Sequence, residues 1–261
     1  MRFGRLITLF LLPVISGCGG APFAPDPAAK AELAPTGTLR VAVFTGNPVI
    51  GTRGPSAVEG TTALLGTELA ARAGLPSRII EYTSVAKMVE DAAANAWDIA
   101  VVAFDPARRN VLDFAPPHMV VDLTYLVAPG SKIQTVADAD RAGGRIGAAR
   151  GAATALLLER TLRQATLVPA ENEPAVFESL RSGSVDAIAQ NRFLLLGLAD
   201  RLPGSRVVGD RFAAAEMTIV LPKGRPAALA YVGGFVADAK KSGSIARAIE
   251  TSRLRGVSVA P

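Results

Sequence analysis

Trp97-Asp98-Ile99-Ala100-Val101-Val102-Ala103-Phe104-Asp105-Pro106-Ala107-Arg108-Arg109-Asn110 is the stretch that decides the fold of this 261-residue chain. The run 99–104 is short, apolar and partly β-branched, the pattern of a strand buried on both faces. Asp105-Pro106 ends it, because proline has no amide hydrogen for a ladder and fixes φ. Arg108 therefore falls just past the carboxyl end of a buried strand. In open α/β sheets that edge is where small ligands dock, and a guanidinium offers a planar fork of donors that suits a carboxylate. Arg108 is the candidate anchor for a small carboxylate. The alternative is a surface arginine paired with Asp105 or Asp113.

Strand and helix signals alternate on both sides of this stretch. Residues 39–44 (Leu-Arg-Val-Ala-Val-Phe) form a first strand, closed by Gly46-Asn47-Pro48. Residues 61–73 carry apolar positions at helical spacing and stop at Gly74. A strand over 77–82 follows, then a helix over 85–95 with Ser84 as its cap. This βαβαβ rhythm implies right-handed crossovers and a parallel sheet. Beyond it lie a strand at 123–127, a short helical segment at 135–138 and a strand at 145–149 that runs into a helix ending near Arg163. A second series comprises strands at 166–168, 185–189 and 206–208 with helices at 174–182 and 192–202. A strand over 216–221 and helices over 227–242 and 245–251 close the chain. Two lobes and one doubly wound sheet fit this periodicity equally well.

The amino terminus has a different character. Residues 1–17 combine Arg2 and Arg5 with an apolar run, Leu6 to Leu12. That run is too short for the roughly 20 residues that span a bilayer, so it reads as a secretory signal peptide. Small residues before Cys18, the only cysteine, resemble the lipobox of bacterial lipoproteins. That resemblance makes Cys18 a lipid anchor to a membrane in the cell envelope, with residues 18–36 a flexible Ala/Pro/Gly linker. Without residues 1–17 the chain keeps 26 basic and 23 acidic residues, a formal +3 with no basic block. Nucleic-acid binding calls for a clustered basic face, so no nucleic-acid partner is expected. One histidine, His118, and one cysteine cannot build a His/Cys metal site, and no nucleophile-elbow motif supports a Ser-His-Asp triad. No cofactor is expected.

At the turn Gly151-Ala152-Ala153-Thr154 a strand meets a helix. Free amides and the helix dipole favour a carboxylate there, while Thr154 is expected to cap the helix. Gly143-Gly144-x-x-Gly147 is neither a Walker motif nor a dinucleotide fingerprint, and reads as turn chemistry.

Taken together, Trp97-Asp98, Asp105-x-x-Arg108 and Asp113-Phe114-Ala115-x-Pro117-His118 resemble the signature of bacterial extracytoplasmic solute-binding proteins of the amino-acid type (family 3). These are the receptors of ABC importers. The resemblance implies an α/β, two-lobed periplasmic-binding-protein-like (type II) fold with two hinge crossings. Lobe 1 would comprise residues 37–128 plus 217–261, and lobe 2 residues 129–216. The crossings would lie near Ala128-Pro129-Gly130 and Ala215-Glu216-Met217.

The implied protein is a monomer that holds its ligand between the lobes and delivers it to an ABC permease. Family spacing selects Arg108 for the carboxylate and leaves Arg109 to solvent. Gly151, Ala153 and Thr154 would complete carboxylate binding. Ala103 stands where the family often has a hydroxyl, so only its backbone can help. Phe44 and Asn47 in the first loop are contacts, with a core role the alternative for Phe44. Thr61 stands at the second position of the aromatic clamp.

Asn191 departs most from the family, whose α-amino acid receptors carry an aspartate there for the ligand ammonium. Either Glu216 or Glu59 supplies the counter-charge, or the ligand lacks an α-ammonium. His118 replaces a tyrosine near the hinge and is expected to pack or hydrogen-bond. Two alternatives share the scaffold: an enzyme resembling cyclohexadienyl dehydratases, with Glu59, Glu216 or His118 as acid, and an envelope ligand sensor.

Overall fold

The computed structural model describes residues 24–261; the signal segment, Cys18 and the start of the linker lie outside the described residues. The chain runs α1 (Pro27–Leu33), β1 (Leu39–Phe44), a small hairpin of β2 (Thr52–Arg53) and β3 (Val58–Glu59), α2 (Thr61–Arg72), β4 (Ser77–Tyr82), α3 (Val85–Glu90) and β5 (Ile99–Ala103). A 3-10 turn, Pro106–Asn110, leads into β6 (Leu112–Val127). Then come α4 (Val136–Ala139), β7 (Arg145–Ala149), α5 (Ala153–Thr161), β8 (Thr166–Ala170), α6 (Glu173–Arg181), β9 (Ala187–Asn191) and α7 (Arg192–Ala199). The chain ends with β10 (Arg206–Val207), β11 (Ala213–Pro222), α8 (Pro226–Lys241), α9 (Ser244–Thr251) and β12 (Val257–Val259).

The strands pair in the order β4-β1-β5-β11-β6-β9-β7-β8. At one end β4, β1 and β5 are parallel, and at the other β9, β7 and β8 are parallel. Between them β11 and β6 run antiparallel to their neighbours. Each end has apolar clusters on both faces. Successive residues of a strand point to opposite sides, so Val41 and Val43 join α2 and α8 on one face. Ala42 joins Met88 and Trp97 on the other. In the second lobe Tyr125, Val127 and Ile146 pack with Leu158, while Leu126 and Ile188 pack with Phe177 and Leu195. The architecture is therefore α/β and two-lobed. No helix among the described residues is long and apolar enough to cross a membrane.

The long strands β6 and β11 join the lobes. Residues 112–123 of β6 pair with β11, and 123–127 pair with β9 of the second lobe's sheet. β6 thus runs continuously from pairing with β11 to pairing with β9. Local signals missed most of this strand because Pro116 and Pro117 interrupt it. They are accommodated where the register slips between Met217 and Val220, the irregular setting in which a sheet tolerates proline.

The linker expectation is corrected over residues 27–33. Asp26 accepts the Ala29 amide at 2.7 Å and Pro27 starts the helix, while Ala29 and Leu33 are buried. Both are strong start signals, and α1 packs on α8. Alanine, read as linker filler, is here a helix former with one buried face.

Asp98 ties the far end of β5 to three elements. Its carboxylate is fully buried and accepts the Arg40 amide at 2.9 Å, Arg40 Nε at 2.9 Å and Nη2 at 2.8 Å, and Arg225 Nη1 at 3.0 Å. Arg225 also donates to the Asn95 side chain at 2.8 Å and the Glu32 carbonyl at 3.2 Å, linking α8 to α1.

His118 lies on β6, completely buried, and neither ring nitrogen has a hydrogen-bond partner. Burial, assisted by the charge of Lys240, pulls its pKa from 6.5 down to about 3. The ring is therefore neutral in the fold, whereas the unfolded chain takes up a proton below pH 6.5. Stability from this group is complete above that value and is lost as pH falls toward 3. Between pH 7.5 and 5 the expected loss is about 2 kcal/mol at 1.36 kcal/mol per pH unit. Urea unfolding of His118→Leu should show that slope flattened, and an unchanged slope would refute this origin.

Candidate functional site

A cavity of about 800 Å³ opens between the lobes, walled by the carboxyl ends of β1 and β5 on one side and by the starts of α5, α6 and α7 on the other. Asp105 builds the first wall. It caps the 3-10 turn by accepting the Ala107 amide at 2.8 Å, and this turns Arg108 back over the strand end. Arg108 Nη1 donates to the Ala103 carbonyl at 3.1 Å, and both residues line the cavity. The Ala103 backbone thus serves where its methyl cannot.

No carboxylate among the described residues lies within ion-pair distance of Arg108. Burial lowers its pKa from the ordinary arginine value, with Asp105 partly opposing. A desolvated cation facing a cavity is a marker of a functional site. Asp105 and Asp113 are occupied elsewhere. Asp105 reaches Arg160 of α5 at 3.5 Å across the cleft, and Asp113 pairs with Lys223 at 2.8 Å. Arg109 is exposed and lies over the Phe104 ring, 5.1 Å from its centroid.

Phe44 and Asn47 also line this wall, and Phe44 packs against both first-lobe cores at once. Gly46 permits that pose, because a Cβ there would collide with the Phe44 ring. Thr61 is placed differently from the expectation. It is fully buried, donates to the Val49 carbonyl at 2.6 Å and does not line the cavity. As the first residue of α2 it anchors the loop behind the site, so its hydroxyl is spent on the backbone.

On the opposite wall Gly151, Ala153 and Thr154 line the cavity as expected. Gly151 has φ +71°, a conformation that side chains disfavour, and it bends the chain so that α5 starts at the cleft. Thr154 does not cap α5. The cap position is Ala152, which has no side-chain hydrogen bond to give. The first amides of α5 thus lack a side-chain acceptor and suit a carboxylate.

Asn191 is 3 % exposed and lines the cavity. Its Oδ1 caps α7 by accepting the Leu194 amide at 2.9 Å, while its Nδ2 reaches Asn47 Oδ1 across the cleft at 3.4 Å. Neither proposed counter-charge is present: Glu59 and Glu216 are exposed and do not line the cavity. His118 is buried away from it.

Among the lining residues that the sequence reading did not single out, Gln190 and Glu173 form a hydrogen-bonded pair. Gln190 Oε1 accepts the Asn191 amide at 2.8 Å, and its Nε2 donates to Glu173 Oε1 at 2.6 Å. Burial raises the Glu173 pKa above the ordinary glutamate value, with the Gln190 bond partly opposing. The sequence places Glu173 on a helix start seventeen residues from Gln190, and only the pairing of the second-lobe strands unites them. No group of His, Cys, Asp and Glu able to hold a metal occurs among the described residues.

Comparison with known proteins agrees with this geometry. The family model described as "Bacterial extracellular solute-binding proteins, family 3" matches residues 39–251. The ABC transporter glutamine-binding protein GlnH of Bacillus subtilis (strain 168) is 24 % identical over 145 residues, 56 % of this chain and 53 % of that protein. The chain thus spans about half the length of the curated relatives it matches. Among solved structures, the periplasmic VFT2 domain of Bordetella pertussis BvgS superposes with a TM-score of 0.75 at 21 % identity, covering 89 % of this chain and 99 % of that one. A solute receptor for L-cysteine of Neisseria gonorrhoeae gives 0.74 at 22 % identity, covering 90 % and 99 %. At such identities the superpositions establish the fold, and the family match establishes the kinship: this chain belongs to the bacterial extracellular solute-binding proteins of family 3.

Proposed function

We propose that the protein is the substrate-binding component of an ABC importer. It captures a small carboxylate-bearing solute, an amino acid or related organic acid, and hands it to a membrane permease. The observation that carries this reading is Arg108, a desolvated guanidinium with no ion-pair partner among the described residues, at the mouth of a cavity whose other wall is the uncapped start of α5. Arg108 takes the carboxylate through its fork of donors, and Gly151, Ala153 and Thr154 approach it when the lobes close about β6 and β11. Phe44, Asn47 and Asn191 shape the rest of the site. Lobe 1 comprises residues 37–128 plus 217–261 and lobe 2 residues 129–216, with 123–127 carried on the second lobe's sheet. The protein acts as a monomer, delivered by its signal peptide and lipid-anchored in the envelope through Cys18. We read it as binding its solute without converting it; the curated relatives in the comparison are named as binding proteins.

Thermal melting with amino acids, 2-oxo acids and dicarboxylates tests this reading. Ligand at a hundred times its Kd adds about 2.7 kcal/mol to the folded state. A chain of this size should then melt roughly 5–10 °C higher. A flat response across all three classes would reject a carboxylate receptor.

A further inference from the structure

Of the charged residues that line the cavity, Arg150, Glu171, Glu178 and Arg201 are exposed, whereas Arg108 and Glu173, of opposite sign, are half-buried, one on each wall. Arg108 stands on the first lobe. Glu173, the first residue of α6, stands on the second, and no lysine or arginine among the described residues lies within ion-pair distance of it. The other acids nearby are committed or wet: Glu178 is paired with Arg181 at 2.7 Å, and Glu171 is exposed. Glu173 is not needed to start its helix, since Asn172 caps α6 by accepting the Ala175 amide at 3.0 Å. What it has is a rigid mount. A hydrogen-bonded row crosses the cleft from Asn47 to the Asn191 amide group, from there to Gln190, and from Gln190 to the Glu173 carboxylate. Every other member of that row is a neutral amide, so Glu173 is the one formal charge at its end.

We infer that Glu173, oriented by Gln190, is the counter-charge for a cationic nitrogen of the ligand, so that the cleft selects a zwitterionic amino acid over the matching acid without an ammonium. A buried charge is costly unless it is paired. A ligand bearing both a carboxylate and an ammonium relieves Arg108 and Glu173 together. A purely anionic acid satisfies Arg108 and leaves the Glu173 carboxylate repelling it. The pairing that Asn191 cannot make is thereby moved about one helix start away, onto another element of the same wall.

The inference rests on the carboxylate-receptor reading, and the test separates the two. Calorimetry on the whole protein would use matched pairs of L-amino acid and 2-oxo acid: glutamate with 2-oxoglutarate, alanine with pyruvate, leucine with 4-methyl-2-oxopentanoate. Wild type should bind at least one amino acid roughly ten-fold or more tighter than its partner. Glu173→Gln, which keeps shape and an amide for Gln190, should weaken that amino acid roughly thirty-fold or more. It should leave the oxo acid unchanged or tighter, with an unaltered melting temperature showing an intact fold. Amino-acid affinity within threefold of wild type in Glu173→Gln, or wild type preferring the oxo acids, would overturn the inference while the receptor reading stands. If no member of any pair binds, both fall.

Discussion

Arg108→Ala is expected to lower affinity for the carboxylate ligand by about a hundred-fold or more while leaving the melting temperature equal to or slightly above wild type. The binding loss follows from the chemistry. Removing one partner of a desolvated, hydrogen-bonded charge pair costs about 2–5 kcal/mol, and each 1.4 kcal/mol is a factor of ten. The stability result follows from the structure. The Arg108 side chain contributes one hydrogen bond, to the Ala103 carbonyl, and bears a desolvation cost that Asp105 offsets only in part. A residue that lowers stability without ligand and dominates binding with it is the signature of a site held ready for its partner. Arg108→Lys keeps the charge but not the fork, and should recover only part of the affinity. Calorimetry and melting of the same samples decide the matter. Wild-type affinity in Arg108→Ala would remove the anchor and the receptor reading with it.

The second large effect lies at the other end of the same strand and has the opposite character. Asp98→Ala leaves the guanidinium groups of Arg40 and Arg225, 9 % and 6 % exposed, without their shared acceptor. Breaking a buried ion network by deleting one member costs about 3–5 kcal/mol, enough to lower the melting temperature of a chain of this size by about 10 °C. The direct bond between Arg40 and Asp98 is strong enough to raise the Arg40 pKa despite burial. Because Asp98 precedes β5 and Arg108 follows it, ligand affinity of the protein that remains folded should be unchanged. A melting temperature within 2 °C of wild type would show the network to be dispensable.

Where expectation and structure part, the reasons are particular. That Arg108, Ala103, Gly151, Ala153 and Asn191 line the cavity was readable because each lies within a few residues of a strand end, and in α/β sheets strand ends and the cleft coincide. Thr61 was misplaced because a position in a pattern does not say which way a hydroxyl turns, and its own backbone neighbourhood claimed it. Thr154 was read as a cap from local preference, yet the cap position lies two residues earlier, at Ala152, which cannot cap. Pro116 and Pro117 hid β6 because the register slip that admits them is made jointly with β11, a hundred residues on.

What the sequence determined by itself is local: the buried strand at 99–103, the arginine beyond it, the α/β rhythm, and the missing aspartate at 191. Each depends on spacing within one element, and covalent geometry fixes that spacing. Only the tertiary structure decided which groups meet across elements. Arg40 and Arg225 converge on Asp98, Arg160 spans to Asp105, and Glu173 joins Gln190 at the wall facing Arg108. The reason is desolvation. Whether a charge is paired, stranded or wet depends on which distant segments exclude water from it, and that is settled only when the lobes pack.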